Sequence, residues 1–493
     1  MKKYIIAHDL GTSGDKATLF TEEGQLVASR TSTYEVHFFG QNRAEQDPED
    51  WWKAVCNTTW ELLEYVSAEE IAVVSFSAQM QGCLVVDVQG KPLRNSIIWA
   101  DQRAEKEADI LKEQIGAAKM YEITGHRVSP SYSIEKLMWI KENERNIYEK
   151  TYKMLQAKDY IIYKLTGVFL TDYSDASGTN AMDLKNLCWS QQILQAAGID
   201  EDKLPDMKYS TDIAGRVTEA AAKECGLLAG TRIVCGGGDG PCSAVGAGCV
   251  EDDEWFTTFG TSAWIGGTTK KPTGDEEQIV FCFAHVIPNR YMPCGAMQAA
   301  GSSYSYIRKT LCDGESYETL NRMMEEAAPG SNDLFFLPYL LGERSPRWNP
   351  NTSGAFIGIK PKHEKKEYLR ATIEGVAYNL ELILQAHRKK NNIDHMILTG
   401  GGAKGEIIAH ILSDIMNVTL SRPDHVEEAT SIGAALVAGV GVGIFKDFSE
   451  VKKFLEFKDE IYPQISNVEI YQRKKVVFDH IYQALCPIYE EMK

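Results

Sequence analysis

Two turns rich in glycine and hydroxyl residues lie far apart in the chain, and each joins a pair of strand-like segments. Such turns let backbone N–H groups and short hydroxyls approach a phosphate closely. The first turn carries Asp9, Thr12, Ser13 and Lys16. The second turn begins with Gly260 and Thr261. Either turn alone would fit an ordinary hairpin, but the repeated pattern predicts two related halves that face each other across a nucleotide.

A single aspartate, Asp239, interrupts a glycine run that follows a predicted strand. Ligands of α/β proteins bind beyond the carboxyl ends of strands, and a carboxylate there can accept a hydroxyl proton during phosphoryl transfer. Asp9 ends the first predicted strand, and Mg²⁺ prefers oxygen ligands. We predict Asp239 as a catalytic base and Asp9 as a magnesium ligand, direct or through water. The competing interpretations are a turn-stabilising role for Asp239 and a loop cap for Asp9.

A third glycine-rich segment, residues 400–403, separates a predicted strand from a predicted helix. This placement suits close backbone approach of the adenosine part of ATP, although a tight strand-to-helix turn would use the same residues. The residues predicted to bind the nucleotide are Thr12, Ser13, Lys16, Gly260, Thr261, Gly301, Gly401, Gly402 and Ala403. For Lys16 the alternative interpretation is a solvated strand residue.

The composition excludes several classes of protein. A net charge of −17 argues against nucleic acid or an anionic membrane as the main partner, because both require basic faces. We find no signal peptide and no apolar run of membrane-spanning length. The 11 cysteines are scattered without a CxxC pair, which predicts reduced thiols and a cytoplasmic protein without a zinc site.

Alternating strands and helices predict an α/β architecture with helix-covered sheets. One helix should begin at Pro48, where Asp47 can cap it and acidic residues complement its dipole. Another should cover roughly residues 133–143, and a final helical stretch should cover about residues 468–492.

Two long segments, 131–143 and 354–374, resemble the signature regions of the FGGY family of carbohydrate kinases. Tyr368 is a small departure from the second pattern. The resemblance covers nearly the whole chain and implies two ribonuclease H-like lobes of the actin/hexokinase/Hsp70 ATPase type, with the active site in the cleft between them. It also implies ATP and Mg²⁺ as cofactors, Asp239 as the base and Asp9 as the metal-linked carboxylate.

The resemblance also predicts a division of the chain. Residues 1–247 would form a sugar-binding N-terminal lobe, and residues 248–445 an ATP-binding C-terminal lobe. Residues 446–493 would form a C-terminal helical segment that packs on the lobes. Relatives include dimers, so the resemblance allows a homodimer, but the sequence identifies no interface.

The substrate segments are similar to those of xylulokinases, with two departures. Gln81 stands in place of a histidine in the segment 77–82, and Ala100 stands in place of an asparagine in the segment 99–103. The predicted substrate-binding residues are Met80, Gln81, Asp101, Arg103 and Asp239, although Met80 could simply pack against the pocket. D-Xylulose, giving D-xylulose 5-phosphate, is the leading substrate. One alternative is gluconate, because the segment 99–103 also resembles gluconate kinases. Another ketose or a polyol is the other alternative.

A different class of function stays open at this point. The same ATPase core serves actin-like filament proteins and non-catalytic sugar sensors, so fold alone does not fix function. A sensor often carries a basic helix-turn-helix module, but here the first predicted strand starts at Tyr4. We therefore favour an ATP-dependent sugar kinase.

Overall fold

Two seven-stranded sheets organise the part of the chain that the structure describes. The computed structural model describes residues 3–40, 42–424 and 428–492. Each sheet belongs to one half of the sequence, and helices cover the sheets.

The first half of the chain supplies the elements up to α10. Its strands are β1 (Tyr4–Leu10), β2 (Gly14–Thr21), β3 (Leu26–Thr33), β4 (His37–Phe39), β5 (Arg43–Gln46), β6 (Ile71–Ala78), β7 (Leu84–Val86), β8 (Ser96–Ile97), β9 (Lys153–Leu155), β10 (Leu170–Asp172), β11 (Met182–Asp183), β12 (Cys188–Trp189), β13 (Asp206–Lys208), β14 (Ile213–Arg216), β15 (Arg232–Val234) and β16 (Gly237–Gly238). Its helices are α1 (Pro48–Leu62), α2 (Glu105–Gln114), α3 (Ala117–Thr124), α4 (Ser133–Asn143), α5 (Arg145–Lys150), α6 (Ala157–Thr166), α7 (Tyr173–Ser177), α8 (Gln191–Ala197), α9 (Glu219–Cys225) and α10 (Asp239–Gly246).

The second half supplies the remaining elements. Its strands are β17 (Glu254–Phe259), β18 (Ala263–Thr268), β19 (Phe281–Ala284), β20 (Tyr291–Met297), β21 (Phe335–Leu337), β22 (Ala355–Ile357), β23 (His395–Thr399), β24 (Thr419–Pro423) and β25 (Phe457–Ile461). Its helices are α11 (Gly301–Leu311), α12 (Tyr317–Glu325), α13 (Lys365–Arg388), α14 (Glu406–Met416), α15 (Ala429–Gly441) and α16 (Ile465–Glu491). Within the described ranges, no helix combines the length and the apolar character needed to cross a membrane.

The two sheets repeat one topology. In the first sheet the order β3-β2-β1-β6-β15 joins an antiparallel meander to two parallel strands. In the second sheet the order β20-β18-β17-β23-β24 does the same. Each predicted phosphate turn joins the first two strands of its meander. The repeat confirms the expected α/β fold of two related lobes.

Local sequence accounts for several of these elements. Helix α1 begins at Pro48, and the Asp47 carboxylate accepts a hydrogen bond from the Glu49 N–H at 2.9 Å. Helix α4 spans Ser133–Asn143, which are the predicted bounds. Capping therefore fixed the start of α1, because the Asp47 side chain satisfies a backbone donor that the helix leaves unpaired.

Helix α15 comes from the second half of the chain but packs on the first sheet. Its Ile432 and Leu436 share a buried apolar cluster with Ile5 of β1 and Val73 of β6. It also crosses α10 very closely, because a Cβ on Gly433 would lie 2.0 Å from the carbonyl oxygen of Cys242. The lobes therefore share a core, and the division of the chain at 247 and 445 stays a prediction.

Three details differ from the sequence prediction. The segment 446–493 is not purely helical, because β25 adds an antiparallel strand to the second sheet beside β24. The glycine-rich segment forms a short 3₁₀ turn, Gly401–Lys404, and α14 begins only at Glu406. Asp239 is the first residue of α10 and does not lie within a turn, since Gly238 is the residue that precedes the helix.

The crossing of α10 and α15 predicts an intolerance to a single methyl group. Gly433→Ala should lower the free energy of unfolding by about 2–3 kcal/mol, because the added Cβ meets rigid backbone. Gly443→Ala is the matched control. Its backbone φ is 76°, but an added Cβ has no neighbour within 4 Å, so it reports strain alone. That strain costs about 1 kcal/mol. Equal losses of unfolding free energy in the two variants, measured by urea denaturation, would show that the helices accommodate the methyl group.

Candidate active site

A cavity of about 280 Å³ lies where the two lobes meet. The first lobe lines it with Thr12, Met80, Gln81, Trp99, Asp239 and Gly240. The second lobe lines it with Ser262, Trp264, Phe281, Phe283, Ala296 and Arg344. Thr12 and Ser262 belong to the two predicted phosphate turns, so both turns border the same space.

Asp239 is placed in this cavity by the start of α10. Its Oδ1 accepts a hydrogen bond from the Gly240 N–H at 2.8 Å. Burial and the nearby carboxylate of Asp9 raise its pKa to about 7, while the Gly240 N–H and Arg344 act in the opposite direction. A carboxyl group with this pKa can accept a proton near neutral pH and release it afterwards.

Asp9 lies near the end of β1, on the same side of the cleft. Its Oδ2 accepts a hydrogen bond from Thr430 Oγ1 at 2.7 Å, so α15 contributes to its setting. Burial raises the pKa of Asp9, and the hydroxyls of Thr430 and Ser77 oppose that effect. In the described residues no group of three or more His, Cys, Asp or Glu could cage a metal. The donor set fits Mg²⁺ that keeps several waters and is held by few carboxylates.

The first turn is braced from two sides. Trp99 Nε1 donates to Thr12 Oγ1 at 2.9 Å, and Gln46 Nε2 donates to the Thr12 carbonyl at 2.7 Å. Ser13 is exposed at the tip of the turn. Lys16 Nζ lies 2.6 Å from Oε1 of Glu428, just before α15, so this lysine bridges the lobes. Its predicted contact with a phosphoryl group stays a prediction.

The second turn is held by the start of α11. The Gly301 N–H donates to the Gly260 carbonyl at 2.9 Å, and the Ala300 N–H donates to the Thr261 carbonyl at 3.0 Å. A Cβ on Gly301 would lie 2.4 Å from the Gly260 oxygen, which explains the glycine. Thr261 itself is exposed toward solvent. The geometry therefore gives Gly301 a role in shaping the turn.

The glycine-rich segment packs against the strand that leads into the second turn. Gly400 has a φ of 86°, and a Cβ on Gly402 would lie 2.1 Å from the Phe259 ring. Ala403 is buried in the core of the second lobe, so its side chain does not face the cleft. The exposed backbone of this segment is that of Gly401.

Besides Asp239, the predicted sugar-binding residues form two pairs. Met80 and Gln81 line the cavity, whereas Asp101 and Arg103 are not among the described residues that line it. The Asp101 carboxylate is fully buried and lies 2.7 Å from Arg103 Nη2. It also accepts the Ala44 N–H at 2.6 Å, and so its oxygens are committed within the protein. This geometry does not support direct sugar contact for Asp101 or Arg103.

Several lining residues were not singled out from the sequence. Trp99 lies within the segment 99–103 but was not itself assigned to the site, and Arg344 was not assigned either. Trp264, Phe281 and Phe283 carry no local signal, because buried strands are apolar whether or not they border a cavity. Arg344 is the one cation among the described lining residues.

The comparisons with known proteins identify the family of the chain. The N-terminal domain of the FGGY family of carbohydrate kinases matches residues 4–246, and its C-terminal domain matches residues 256–442. The chain belongs to the FGGY family of carbohydrate kinases. It is therefore a sugar phosphotransferase that uses ATP. Family membership thus argues against the filament and sensor alternatives.

Individual relatives share the full length of the chain. Xylulose kinase of Bacillus subtilis (strain 168) is 32% identical over 484 residues, which cover 97% of each protein. Among solved structures, the ligand-bound xylulose kinase and the gluconate kinase from Lactobacillus acidophilus each reach a TM-score of 0.95. Each is 29% identical and covers 100% of both chains. These two solved structures thus do not distinguish the two substrates.

A buried lysine supports the cavity wall at Gln81. Lys136 Nζ donates to the carbonyls of Gln81 and Ile98 at 2.8 Å each, and to that of Ser131 at 2.5 Å. Gln81 has a φ of 68°, and its N–H donates to Gln156 Oε1 at 2.6 Å. Burial lowers the pKa of Lys136 to about 7. Lys136 therefore anchors Gln81 and the backbone next to Trp99.

Lys136→Met should damage sugar binding more than ATP binding, because it leaves three carbonyls, including that of the lining residue Gln81, without their donor. We expect the sugar KM to rise by about tenfold, equivalent to the roughly 1.4 kcal/mol of one or two lost hydrogen bonds. The ATP KM should stay within about twofold. Lys141→Met is the matched control, since Lys141 lies on the same helix and donates to the Gly198 carbonyl outside the cavity. Parallel rises in both KM values would contradict this role.

Proposed function

We propose that the protein transfers the γ-phosphate of ATP to the terminal hydroxyl of D-xylulose, giving D-xylulose 5-phosphate and ADP. The observation that carries the proposal is the placement of Asp239 in a cavity bordered by both phosphate turns. The similarity to proteins named xylulose kinase supports the choice of sugar.

The proposed reaction uses the carboxylates in distinct roles. Asp239 accepts the proton of the attacking hydroxyl, and its pKa of about 7 suits that exchange. Asp9 holds Mg²⁺, directly or through water. When bound, Mg²⁺ neutralises charge on the transferring phosphoryl group. Met80 and Gln81 form the wall against which the sugar lies.

The nucleotide side of the proposal relies on backbone donors. Thr12 and Ser13 of the first turn face the transferring phosphoryl group, and Gly260 and Thr261 face the other phosphates. Gly401 and Gly402 would lie beside the adenosine, where the missing side chains leave room. Closure of the lobes over the bound sugar would restrict water from competing with the sugar hydroxyl.

D-Gluconate is a second candidate substrate, and one observation favours it. Arg344 supplies a cation to the cavity, where it can pair with a carboxylate. A neutral ketose would use the same guanidinium as a hydrogen-bond donor to a hydroxyl. The gluconate kinase from Lactobacillus acidophilus is as similar in overall structure as the xylulose kinase.

We also propose that the protein acts in the cytoplasm, because all 11 cysteines are free thiols. Small-molecule sugar and ATP are its proposed partners, and neither nucleic acid nor a membrane is needed for the reaction. A homodimer stays a prediction.

The substrate is tested by ADP release with Mg²⁺–ATP across D-xylulose, L-xylulose, D- and L-ribulose, D-gluconate, glycerol and erythritol. We expect kcat/KM for D-xylulose to exceed that for D-gluconate by at least about tenfold, which corresponds to about 1.4 kcal/mol of transition-state binding. A preference for D-gluconate that is lost in Arg344→Gln would instead establish the second candidate. Background ADP release with every sugar would contradict both.

Asp239→Asn should lose turnover by about 10²-fold or more while keeping sugar binding, because the amide cannot accept the proton. The same variant should be more stable than the native protein at about pH 8. The folded-state pKa of Asp239 is about 7, above its ordinary value of 3.8, so native stability falls as pH rises between these values. The difference in Tm should therefore shrink toward pH 4. Near-native turnover in the folded variant would remove Asp239 as the base.

A further inference from the structure

A short chain of buried side chains connects the backbone before Asp239 to a charged cluster in the first lobe. The Gly238 N–H donates to Ser174 Oγ at 3.0 Å. The same Ser174 Oγ donates to Asp172 Oδ2 at 2.5 Å. The Ser174 hydroxyl is thus acceptor and donor at once. Neither Ser174 nor Asp172 is among the described residues that line the cavity.

The charged cluster makes Asp172 a rigid anchor. Lys158 Nζ lies 2.8 Å from Asp159, 3.1 Å from Asp172 and 3.5 Å from Asp175. All four side chains are buried. The three carboxyls hold the pKa of Lys158 well above its usual range despite burial, so the ammonium is retained. Moving Asp172 would separate buried charges, which is strongly unfavourable.

Gly238 is a sensitive place for such an anchor to act. It is the residue directly before α10, so its position sets where the Asp239 carboxylate emerges. It belongs to β16, which pairs with β6 over only two residues. A Cβ on Gly238 would lie 2.4 Å from Met80 Sδ, so the opposite side of this backbone is also closely packed. The Ser174 hydroxyl supplies the bond that the short strand pairing leaves open.

We propose that Ser174 and Asp172 form a positioning pair for Asp239, an inference that rests on the proposed role of Asp239 as the base. The pair acts on the backbone and touches no substrate. Proton transfer needs the carboxylate within hydrogen-bond distance of the attacking hydroxyl, and a displacement of about 1 Å can cost up to 10²-fold in rate. Loss of the pair should therefore lower kcat and leave substrate affinity almost unchanged.

The chain offers a closely matched control in Ser210. Its hydroxyl is also buried and donates to the same Asp172 Oδ2, at 2.7 Å, but the Gly238 N–H donates to Ser174 and not to Ser210. Ser174→Ala and Ser210→Ala therefore each remove one hydroxyl bond to Asp172. Only the first also removes the acceptor for the Gly238 N–H.

The test compares kcat, both KM values and Tm for the two variants. We expect Ser174→Ala to lower kcat by about tenfold, with sugar and ATP KM values within about threefold of native. Ser210→Ala should keep kcat within about twofold of native, and its Tm should fall by about as much as that of Ser174→Ala. Ser174→Cys fills the site with a weak donor and acceptor, so it should lose kcat like Ser174→Ala even if the alanine variant folds poorly.

Equal kcat in the two alanine variants, or an effect of Ser174→Ala confined to KM, would overturn the positioning pair. Asp239→Asn in the same series separates this result from failure of the proposed function. Lost turnover in Asp239→Asn with native kcat in Ser174→Ala overturns the pair alone. Near-native turnover in Asp239→Asn overturns the base and the pair together.

Discussion

The close crossing of α10 and α15 is the constraint on which the site depends. Each helix has a glycine at the crossing, and a Cβ on Gly246 would lie 1.7 Å from the Ala429 carbonyl oxygen. The helices begin at the cleft, where α10 starts with Asp239 and α15 supplies Thr430 to Asp9. A wider separation of the helices would move Thr430, the hydrogen-bond donor to Asp9, relative to Asp239. Small residues at the crossing are therefore a requirement of the chemistry as much as of packing.

The same arrangement creates an electrostatic cost that the structure offsets only in part. Asp9 and Asp239 are like charges near one another, and burial disfavours the ionised form of each. Thr430 and the Gly240 N–H stabilise them, and Arg344 brings a positive charge from the second lobe. A bound divalent cation would relieve what remains. The buried carboxylates thus lower the stability of the folded protein, a cost that is common where function needs buried charge.

The sequence was sufficient for features that depend on local chemistry. The two hairpins, the Asp47 cap and the α4 bounds follow from residues adjacent in the chain. It was insufficient where distant segments compete for a side chain. Asp101 was assigned to the sugar because the segment 99–103 resembles one of xylulokinases, but Arg103 and the Ala44 N–H occupy its oxygens. The docking of α15 on the first sheet leaves no local trace, because its apolar residues would suit any core.

Discrimination between sugars must come from a small part of the cavity, since overall structure is equally similar to kinases of two different sugars. The wall at Gln81 is set by backbone: a left-handed conformation, the Gln156 acceptor and the Lys136 donor together fix where its amide can point. Arg344 approaches from the other lobe, so its distance from the sugar depends on how the lobes meet. A neutral ketose and an aldonate differ in charge at one end only. In the proposed reaction, specificity is then a matter of which end faces Arg344 when the reacting hydroxyl faces Asp239, and this couples substrate choice to the way in which the two lobes meet.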